Sequence, residues 1–449
     1  MKATTSKVNR RNKAVYLVAL AMTIGFGACQ KLGDIFDHHP GKADKPTSFS
    51  SEVIEKWGTL QVRLMKNATG PNHGFARHYA YSGVAAWESI SPGMPAYVQL
   101  NDQWNGLTGL PKAGHGKKYY WPANANAALA AINRSFFPNA NATDKAAIDS
   151  LENALNDYFI TKTSSQALQN STQFGKQVAA AVYNWAETDG YKNANNPYTP
   201  PVGDGLWKPT APGQVAATPY WGNNRTVMKG SINGSMPPAP PAYSTQPGSP
   251  FHNMVKEVFD ASKVLTPDHQ AMAFFWRDVP GVTTPGHWVN VMVKVIDQKN
   301  VSLAKAAVAY ALTGAAINDA AITVFKAKYH YNLVRPVTYI REVMGETAFT
   351  PFLGTPGHPE YPSAHSTLSC AVTDVLQELF GNPGTFTDNT YDYLGFAPRS
   401  YTSYPAMGEE AGKSRLYAGI HYQYAIDKGT WQGKKVASNI LDRCPSFGY

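Results

Sequence analysis

Three observations predict a mainly α-helical bundle for this chain of 449 residues, 43% of which are hydrophobic. Apolar side chains recur at helical spacing through most of the sequence, several segments are rich in alanine, and alternating strand patterns are scarce. No internal repeat indicates a solenoid. The hydrophobic content is sufficient for a large core.

The N-terminus has the pattern of an export signal. Five basic residues between Lys2 and Lys13 precede an apolar stretch of small residues, 14–28. That stretch is shorter than the about 20 residues of a bilayer span but suits a signal sequence. The residues before Cys29 resemble a bacterial lipobox, although Phe26 stands where leucine is common. We expect a signal peptide at 1–28 and lipidation at Cys29, with an ordinary signal peptide as the alternative.

This prediction determines both the compartment and the charge. The protein is expected to be an exported lipoprotein of the bacterial cell envelope, in the outer membrane or the periplasm. Loss of the five basic residues lowers the formal net charge from +9 to +4, which argues against a nucleic-acid partner. In an oxidising compartment Cys370 and Cys444 could form a disulfide, or remain separate core thiols.

The rest of the chain divides into a polar tether, 29–50, and a single helical domain, 51–449. The domain has an N-terminal half, 51–300, and a second half, 301–449. Residues 191–250 are rich in proline and asparagine but contain Trp207, Tyr220 and Trp221, which predicts an irregular loop packed on the body. Helical patterns cover 51–64, 76–90, 123–137, 143–159 (with Thr143-Asp144 as the N-cap), 165–188, 251–264, 271–278, 301–330, 363–380, 409–420 and 428–444.

Three short segments of the second half concentrate basic and polar residues. Lys328 lies near the end of a predicted helix, and Arg335 follows it in an extended conformation because it precedes Pro336. Taken alone, such a pair is typical of solvated surface charges. Ser363 is a candidate N-cap, which would direct the N–H groups of Ala364 and His365 at an anion. Its simpler interpretation is a plain serine cap beside a surface histidine.

The third segment contains Ser414, Arg415 and His421. Six residues along a helix turn the side-chain direction by about 240°, so Arg415 and His421 do not share one stripe. They can meet at one ligand if the arginine reaches around the helix, or if the helix ends near Gly419. A buried histidine and a surface arginine are the alternative.

Together the segments resemble the signature of the vanadium-dependent haloperoxidase and type 2 phosphatidic acid phosphatase superfamily. That signature is K-(six)-RP, then PSGH, then SR-(five)-H, over about the last quarter of the chain. Ala364 replaces the usual glycine. Ala425 stands where an aspartate often follows the last histidine, so another group or a reorganised helix must orient that histidine. The matching residues are Lys328, Arg335, Pro336, Pro362, Ser363, His365, Ser414, Arg415 and His421.

The resemblance implies a role for each residue. His421 would bind vanadium as the metal ligand, or attack phosphorus in a phosphatase. His365 would be the catalytic acid–base group. The cofactor would be vanadate, with vanadium as V(V) acting as a Lewis acid, and neither haem nor a nucleotide is expected. Its oxygens would be held by Lys328, Arg335, Ser363, Ala364 and Arg415.

Two features favour the haloperoxidase over the phosphatase. The long helical first half is typical of the haloperoxidase branch, and His358 matches a histidine of algal bromoperoxidases, where fungal chloroperoxidases have phenylalanine. Phe325 matches an aromatic position beside the halide path. An exposed loop histidine and a core phenylalanine are the alternatives. The segments Phe275–Asp278 and Pro285–Trp288 resemble pocket walls of bacterial relatives.

We therefore expect a vanadate-dependent haloperoxidase that oxidises bromide or iodide, rather than chloride, with hydrogen peroxide to hypohalous acid. An organic acceptor and, through the lipid anchor, a membrane are further expected partners. The alternatives are a vanadate-inhibited acid phosphatase with a phosphohistidine intermediate and a non-catalytic phosphate-binding lipoprotein. Asp319 and Glu360 are the candidate carboxylate partners of His365 and Lys328. The His38-His39 pair is expected to be solvated.

Overall fold

The computed structural model describes residues 45–68, 74–94 and 100–444. The predicted signal peptide, Cys29 and the His38-His39 pair lie outside these residues. Within the predicted tether, Pro46–Ser48 forms a short 3₁₀ helix, Phe49 is buried, and Ser50 pairs with Ser302. The chain therefore packs against the domain before the expected boundary at residue 51.

The predicted helical class is confirmed by thirteen α-helices and one two-stranded sheet in the described part of the chain. The first half contains α1 (Glu52–Asn67), α2 (Phe75–Ile90), α3 (Trp121–Phe136), α4 (Ala142–Phe159), α5 (Ser165–Ala186), α6 (Pro250–Lys263), α7 (Pro267–Phe275) and α8 (Pro285–Lys299). The second half contains α9 (Leu303–Tyr331), α10 (Pro336–Glu342), α11 (Ala364–Phe380), β1 (Phe386–Asp388), β2 (Arg399–Tyr401), α12 (Tyr404–Tyr417) and α13 (Gln423–Leu441).

Several boundaries differ from the sequence prediction. Helices α8 and α10 were not predicted; α8 begins with Pro285-Gly286, which reads as a loop, and α10 has only seven residues. The N-cap of α4 is Asn141, whose side chain accepts the Asp144 N–H, rather than Thr143-Asp144. Helix α12 starts at Tyr404 and ends at Tyr417, earlier at both ends than expected.

Helix α9 joins the two halves, since it packs against α2 on one side and α11 on the other. A Cβ at Gly83 would lie 2.6 Å from the Tyr310 carbonyl oxygen, and one at Gly314 would lie 2.7 Å from the Ala80 Cα. Glycine at these positions lets α2 and α9 approach closely. Helix α9 is long and apolar enough to cross a membrane, but that apolar stretch is entirely buried in the domain, as expected for a core helix.

The long loop lies against the body, as predicted. Trp207 and Trp221 are buried, and Asp319 of α9 accepts the Val227 and Met228 N–H groups at 2.7 and 3.1 Å. Asp319 also accepts the Ser231 hydroxyl at 2.6 Å. This carboxylate therefore anchors the loop and is not the partner of His365 or Lys328, which corrects that expectation. Cys370 and Cys444 are free thiols.

Candidate active site

Ala364, His365 and His421 line one cavity beside α9 and α11, whereas Lys328, Arg335, Ser363 and Arg415 are not among its lining residues. Six of the seven predicted site residues are buried: Lys328, Arg335 and Ser363 are fully inaccessible, and Arg415, His421 and His365 are 1%, 2% and 7% exposed. The cavity encloses about 560 Å³ of empty space that opens to solvent. It is lined by Asp278, Thr283, Thr284, Pro285, Phe325, Pro356, His358, Ala364, His365, Leu368, Ile420 and His421.

Arg335 occupies the centre of the site. As predicted, it is extended (φ −77°, ψ 150°) and immediately precedes α10. Its Nε donates to the His358 carbonyl at 2.9 Å and its Nη1 donates to the Ile420 carbonyl at 2.9 Å. Nη1 also lies 3.3 Å from His421 Nε2, and Nη2 lies 2.9 Å from His358 Nδ1. Burial lowers the pKa of this guanidinium to about 10 despite the opposing effect of Glu360.

The contacts of His421 define its protonation. Arginine can only donate, so in the 3.3 Å contact His421 Nε2 accepts from Arg335 and carries no proton. Nδ1 therefore carries the proton and donates it to Glu360 Oε1 at 2.6 Å. Burial, with Arg335 and Lys328 nearby, holds the pKa of His421 well below its usual value. A neutral imidazole without a proton on Nε2 is the form that binds a metal, which would replace the Arg335 contact at that atom.

Glu360 is thus the partner of His421 and not of His365. The Tyr422 N–H donates to the same Oε1 atom at 3.0 Å. The carboxylate is fully inaccessible, and burial raises its pKa to about 7 although Lys328 and Arg335 oppose this shift. Position 425 is an alanine and cannot orient the His421 ring, so Glu360 orients it instead. In the sequence, the indication that Glu360 belongs to the site was its position three residues before Ser363.

Lys328 braces the same loop from α9. Its Nζ donates to the Pro359 and Glu360 carbonyl oxygens at 3.0 and 2.8 Å, which leaves one of its three N–H bonds for another acceptor. Burial and the neighbouring Arg335 hold the pKa of Lys328 well below its usual value. The predicted link to Glu360 therefore exists, but it uses the backbone carbonyl and not the carboxylate.

Ser363 caps α11, as predicted. Its hydroxyl accepts the Ser366 N–H at 3.4 Å and the Ser366 hydroxyl at 3.0 Å. Ala364 is the first helical residue, and its φ is not positive, so alanine replaces glycine without backbone strain. The N–H groups of Ala364 and His365 precede any acceptor within the helix. The positive end of α11 therefore points toward the basic residues.

Helix α12 ends between Arg415 and His421. Gly419 has φ +75°, which terminates the helix close to the position that the sequence suggested. Arg415 Nε donates to the Ser414 hydroxyl at 2.9 Å and Nη2 donates to the Ala273 carbonyl at 3.1 Å. Burial lowers the pKa of Arg415 to about 10, although Asp278 opposes this shift.

His365 contacts a segment that sequence reasoning did not connect with it. Its Nε2 lies 3.0 Å from the Trp276 carbonyl oxygen and 3.6 Å from Asp278 Oδ1. Burial and the nearby Arg415 hold the pKa of His365 well below its usual value. The Asp278 side chain is 48% exposed, but toward the narrow cavity, where desolvation raises its pKa against the effect of Arg415 and Arg335.

His358 and Phe325 lie together on the cavity wall. Their ring centroids are 5.4 Å apart, with the rings nearly perpendicular. His358 Nδ1 lies 2.9 Å from Arg335 Nη2 and 3.1 Å from the Pro359 carbonyl oxygen. Of the two segments expected to form pocket walls, Asp278 and Pro285 line the cavity, whereas His287 and Trp288 are buried.

The donor set suits a tetrahedral oxyanion such as vanadate. Among the described residues, no carboxylate oxygen lies within 4.0 Å of the charged nitrogens of Lys328, Arg335 or Arg415. Three buried cations without a carboxylate partner, a helix N-terminus and a serine hydroxyl require an anion. The Nε2 lone pair of His421 adds a metal ligand, which fits vanadate better than a purely hydrogen-bonded anion.

Comparisons with known proteins identify the same fold. The model of the VCPO second helical-bundle domain matches residues 308–355 and 344–447, the part that contains the three motifs. A bacterial vanadium-dependent iodoperoxidase superposes with a TM-score of 0.79 at 28% identity, covering 91% of this chain and 98% of that one. No curated protein sequence matches the chain significantly.

Two further solved structures share the fold at lower identity. The holo and apo forms of a bacterial vanadium-dependent chloroperoxidase superpose with TM-scores of 0.62, at 17% and 16% identity. They cover 84% of this chain and 94% and 95% of theirs. The matched domain, the similarity to the iodoperoxidase over 91% of the chain and the assembled motifs all support the vanadium haloperoxidase superfamily for this chain.

Proposed function

We propose that this protein is a vanadate-dependent haloperoxidase that oxidises halide with hydrogen peroxide to hypohalous acid. The observation that carries the proposal is the set of buried basic residues, Lys328, Arg335 and Arg415, which have no carboxylate oxygen within 4.0 Å, together with the unprotonated Nε2 of His421 beside Arg335. The similarity to a vanadium-dependent iodoperoxidase over 91% of the chain supports it.

The residues that would hold vanadate follow from the geometry. His421 Nε2 is the ligand for vanadium, because Glu360 fixes its proton on Nδ1. Lys328, Arg335 and Arg415 neutralise the oxygens, and the Ser363 hydroxyl and the Ala364 N–H supply further hydrogen bonds. When bound, vanadate supplies a Lewis acid that activates hydrogen peroxide for attack by a halide.

His365 handles the proton in this proposal. Its Nε2–H is engaged by the Trp276 carbonyl, so the exchangeable position is Nδ1. The lowered pKa keeps the ring neutral at physiological pH, with a lone pair on Nδ1. His365 therefore accepts a proton from hydrogen peroxide as it binds and returns one to the departing oxygen, as a general base and then a general acid.

Iodide and bromide are the proposed substrates in preference to chloride. Chloride is the hardest of the three to oxidise, and the cavity wall offers it no cation except the buried site itself. His358 and Phe325 present a polarisable aromatic surface that suits large, soft halides. Likeness to an iodoperoxidase supports iodide as the better substrate.

One set of assays tests the proposal. The full-length protein, depleted of metal and then incubated with orthovanadate, is assayed for peroxide-dependent oxidation of iodide, bromide and chloride, beside hydrolysis of a phosphate ester. Vanadate-dependent iodide and bromide oxidation without hydrolysis is the expected result. Phosphate-ester hydrolysis inhibited by vanadate would instead identify a phosphatase, and anion binding without either activity a binding protein.

His421→Ala should abolish vanadate retention and halide oxidation, because it removes the metal ligand. His330→Ala is the matched control, since His330 is an exposed histidine near the end of the same helix as Lys328. Unaltered halide oxidation in His421→Ala would refute the assignment of the site.

We also propose that the protein is exported and anchored by lipid at Cys29. The basic, apolar and small-residue segments of 1–28 support this, although they lie outside the described residues. Metabolic labelling with a radioactive fatty acid should mark the wild-type protein but not Cys29→Ser. Equal labelling of both would contradict a lipid anchor at this cysteine.

A further inference from the structure

Two separate routes of side-chain contacts connect the two-stranded sheet to Trp276, which lies next to the site. Asp388 of β1 and Arg399 of β2 are directly opposite each other in the antiparallel ladder. Asp388 contacts His287, which stacks on Trp276, and Arg399 contacts Glu410, which accepts the Trp276 indole N–H. Both routes therefore end on the residue whose carbonyl contacts His365.

The first route consists of buried, short contacts. Asp388 and His287 are fully inaccessible, and His287 Nε2 lies 2.5 Å from Asp388 Oδ2. The other oxygen of Asp388 accepts the N–H and the hydroxyl of Thr390 at 3.0 and 2.7 Å. The His287 ring stacks on the Trp276 ring at 4.6 Å with an interplanar angle of 16°. Asp388 thus fixes the ring that covers one face of Trp276.

The second route fixes the edge of the same indole. Trp276 Nε1 donates to Glu410 Oε1 at 2.9 Å. Arg399 holds Glu410 in a bidentate pair, with Nε to Oε1 at 2.6 Å and Nη2 to Oε2 at 2.9 Å. The Tyr401 hydroxyl, also from β2, donates to Oε1 at 2.7 Å. A bidentate arginine–carboxylate pair restricts both position and angle.

Trp276 is the C-cap residue of α7, and the last carbonyl groups of a helix have no N–H donor within the helix. Its carbonyl oxygen lies 3.0 Å from His365 Nε2, closer than the 3.6 Å of Asp278 Oδ1. A carbonyl can only accept, so this contact requires the proton on Nε2 and leaves Nδ1 unprotonated. With the ring fixed on its face and its edge, the backbone of Trp276 has little freedom.

We propose that the β1–β2 sheet, through Asp388–His287 and Arg399–Glu410, holds Trp276 as the positioning residue that sets the orientation and tautomer of His365. The inference rests on the proposed function for the acid–base role of His365. His287, Asp388 and Glu410 act through Trp276 and touch neither substrate nor cofactor. Their loss should therefore lower turnover while leaving vanadate binding intact.

The direct test is the tautomer of His365 in the vanadate-free, full-length protein. Two-bond ¹H–¹⁵N spectra of histidine-labelled protein, assigned with His365→Gln, should show His365 protonated at Nε2. Protonation at Nδ1 in the wild type would overturn the proposal. This outcome does not depend on halide oxidation, so failure of the inference and failure of the proposed function are distinguishable.

Variants test the sheet itself. Asp388→Asn and Glu410→Gln should each give mixed or exchange-broadened His365 signals and a fall in kcat of about 10- to 100-fold, because small displacements of a catalytic group are costly. The affinity for vanadate, measured by calorimetry, should be unchanged. Trp276→Phe, which keeps one aromatic ring but loses the Glu410 contact and part of the stacking surface on His287, should show the same pattern.

The matched control is Asp189→Asn, which breaks a buried ion pair with Arg77 in the first half of the domain. It should lower stability without altering the His365 signals or kcat. If folded Asp388→Asn, Glu410→Gln or Trp276→Phe keeps the wild-type tautomer and kcat, the sheet has only a structural role. Should all three fail to fold, the tautomer of the wild-type protein still decides.

Discussion

Two buried arginines in the two halves of the domain have opposite electrostatic surroundings. Arg77 in the first half contacts Asp189 at 2.7 Å and Glu187 at 3.2 Å, whereas Arg335 in the second half contacts backbone carbonyls and histidines. Burial lowers the pKa of both, but the carboxylates raise that of Arg77 overall, while that of Arg335 falls to about 10. The same residue type thus forms direct ion pairs in one half and has no carboxylate oxygen within 4.0 Å in the other, where Glu360 and Asp278 act on it only from a greater distance.

A buried carboxylate can lose its charge by binding a proton, whereas a buried arginine keeps its charge. Glu88 is 3% exposed, and burial raises its pKa to about 8, although hydrogen bonds from Trp104 and Ser91 oppose the shift. Such a group becomes neutral by taking up a proton, but a guanidinium keeps its charge at any physiological pH. Buried, uncompensated arginines therefore mark a site where an external anion completes the charge balance.

The largest expected effects come from replacing each of the two arginines with methionine, in two separate variants. Arg335→Met removes charge-assisted hydrogen bonds to the anion and should weaken vanadate binding by about 100-fold or more. Its effect on unfolding should be within about 1 kcal/mol, because two carbonyls lose a donor while an uncompensated buried cation disappears. Calorimetric titration with orthovanadate and thermal denaturation measure the two quantities.

Arg77→Met should give the reverse pattern. It leaves Asp189 buried without its cation, which costs about 3–5 kcal/mol of stability, and leaves vanadate affinity unchanged. If the two variants lost vanadate affinity equally, the contrast between the halves would be wrong.

Glu360→Gln should have the next largest effect. The amide keeps the shape of the carboxylate but offers His421 Nδ1 a neutral acceptor in place of a charged one. Loss of such an outer partner lowers metal affinity by about 10- to 100-fold. Glu346→Gln, an exposed glutamate in the loop after α10, is the control. Wild-type vanadate affinity in Glu360→Gln would show that Glu360 does not orient His421.

Glu88, the buried carboxylate of the first half, should make the free energy of unfolding depend on pH. The pKa of Glu88 is about 8 in the folded state against 4.5 ordinarily, so the folded state binds the proton more tightly. Its contribution is fully present below about pH 4.5 and is lost as the pH rises through about 8. Glu88→Gln should therefore gain stability relative to wild type, by roughly 4 kcal/mol, as the pH rises from 5 to 9, because about three pH units of the shift lie in this range.

Denaturation midpoints at pH 5, 7 and 9 measure this difference. Glu257→Gln, at an exposed position on α6, should follow the wild-type curve at every pH. Parallel curves for Glu88→Gln and wild type would mean that Glu88 is ionised in the folded protein.

The smallest effect is expected at Ala364. Ala364→Gly keeps the backbone N–H that faces the anion, so vanadate affinity should not change. It should cost up to about 1 kcal/mol of stability from the added backbone freedom at the start of α11. Ala142→Gly, at the first position of α4, should lose a similar amount. A marked change in vanadate affinity would show that the residue at this position shapes the site.

The sequence predicted the parts of this molecule that depend on local patterns. The helical class, the extended Arg335, the cap at Ser363 and the helix end near Gly419 all follow from neighbouring residues. Pairings across the fold were not predictable in this way. Glu360 was a candidate partner of His365 or Lys328, but its carboxylate pairs with His421. Asp319 was the other candidate, although it anchors a loop, and Trp276 was not linked to His365.

Two helices were missed, α8 and α10. Helix α8 begins with Pro285-Gly286, which reads as a loop, although Asn290, Lys294 and Asp297 recur at helical spacing on its less buried face. Helix α10 has only seven residues. The functional roles of Lys328, Ser363, His365 and Arg415 stay predictions, since proximity alone does not assign a chemical step.

The most direct test of the uncompensated site is the thermal denaturation of metal-depleted, full-length protein with and without orthovanadate. A ligand at 100 times its Kd adds about 2.7 kcal/mol of stability to the folded state. We predict a rise in Tm with orthovanadate that is retained in Arg77→Met, from its lower starting point, and lost in Arg335→Met. An unchanged Tm in the wild type, or an equal rise in Arg335→Met, would contradict the conclusion that Lys328, Arg335 and Arg415 form a binding site for an oxyanion.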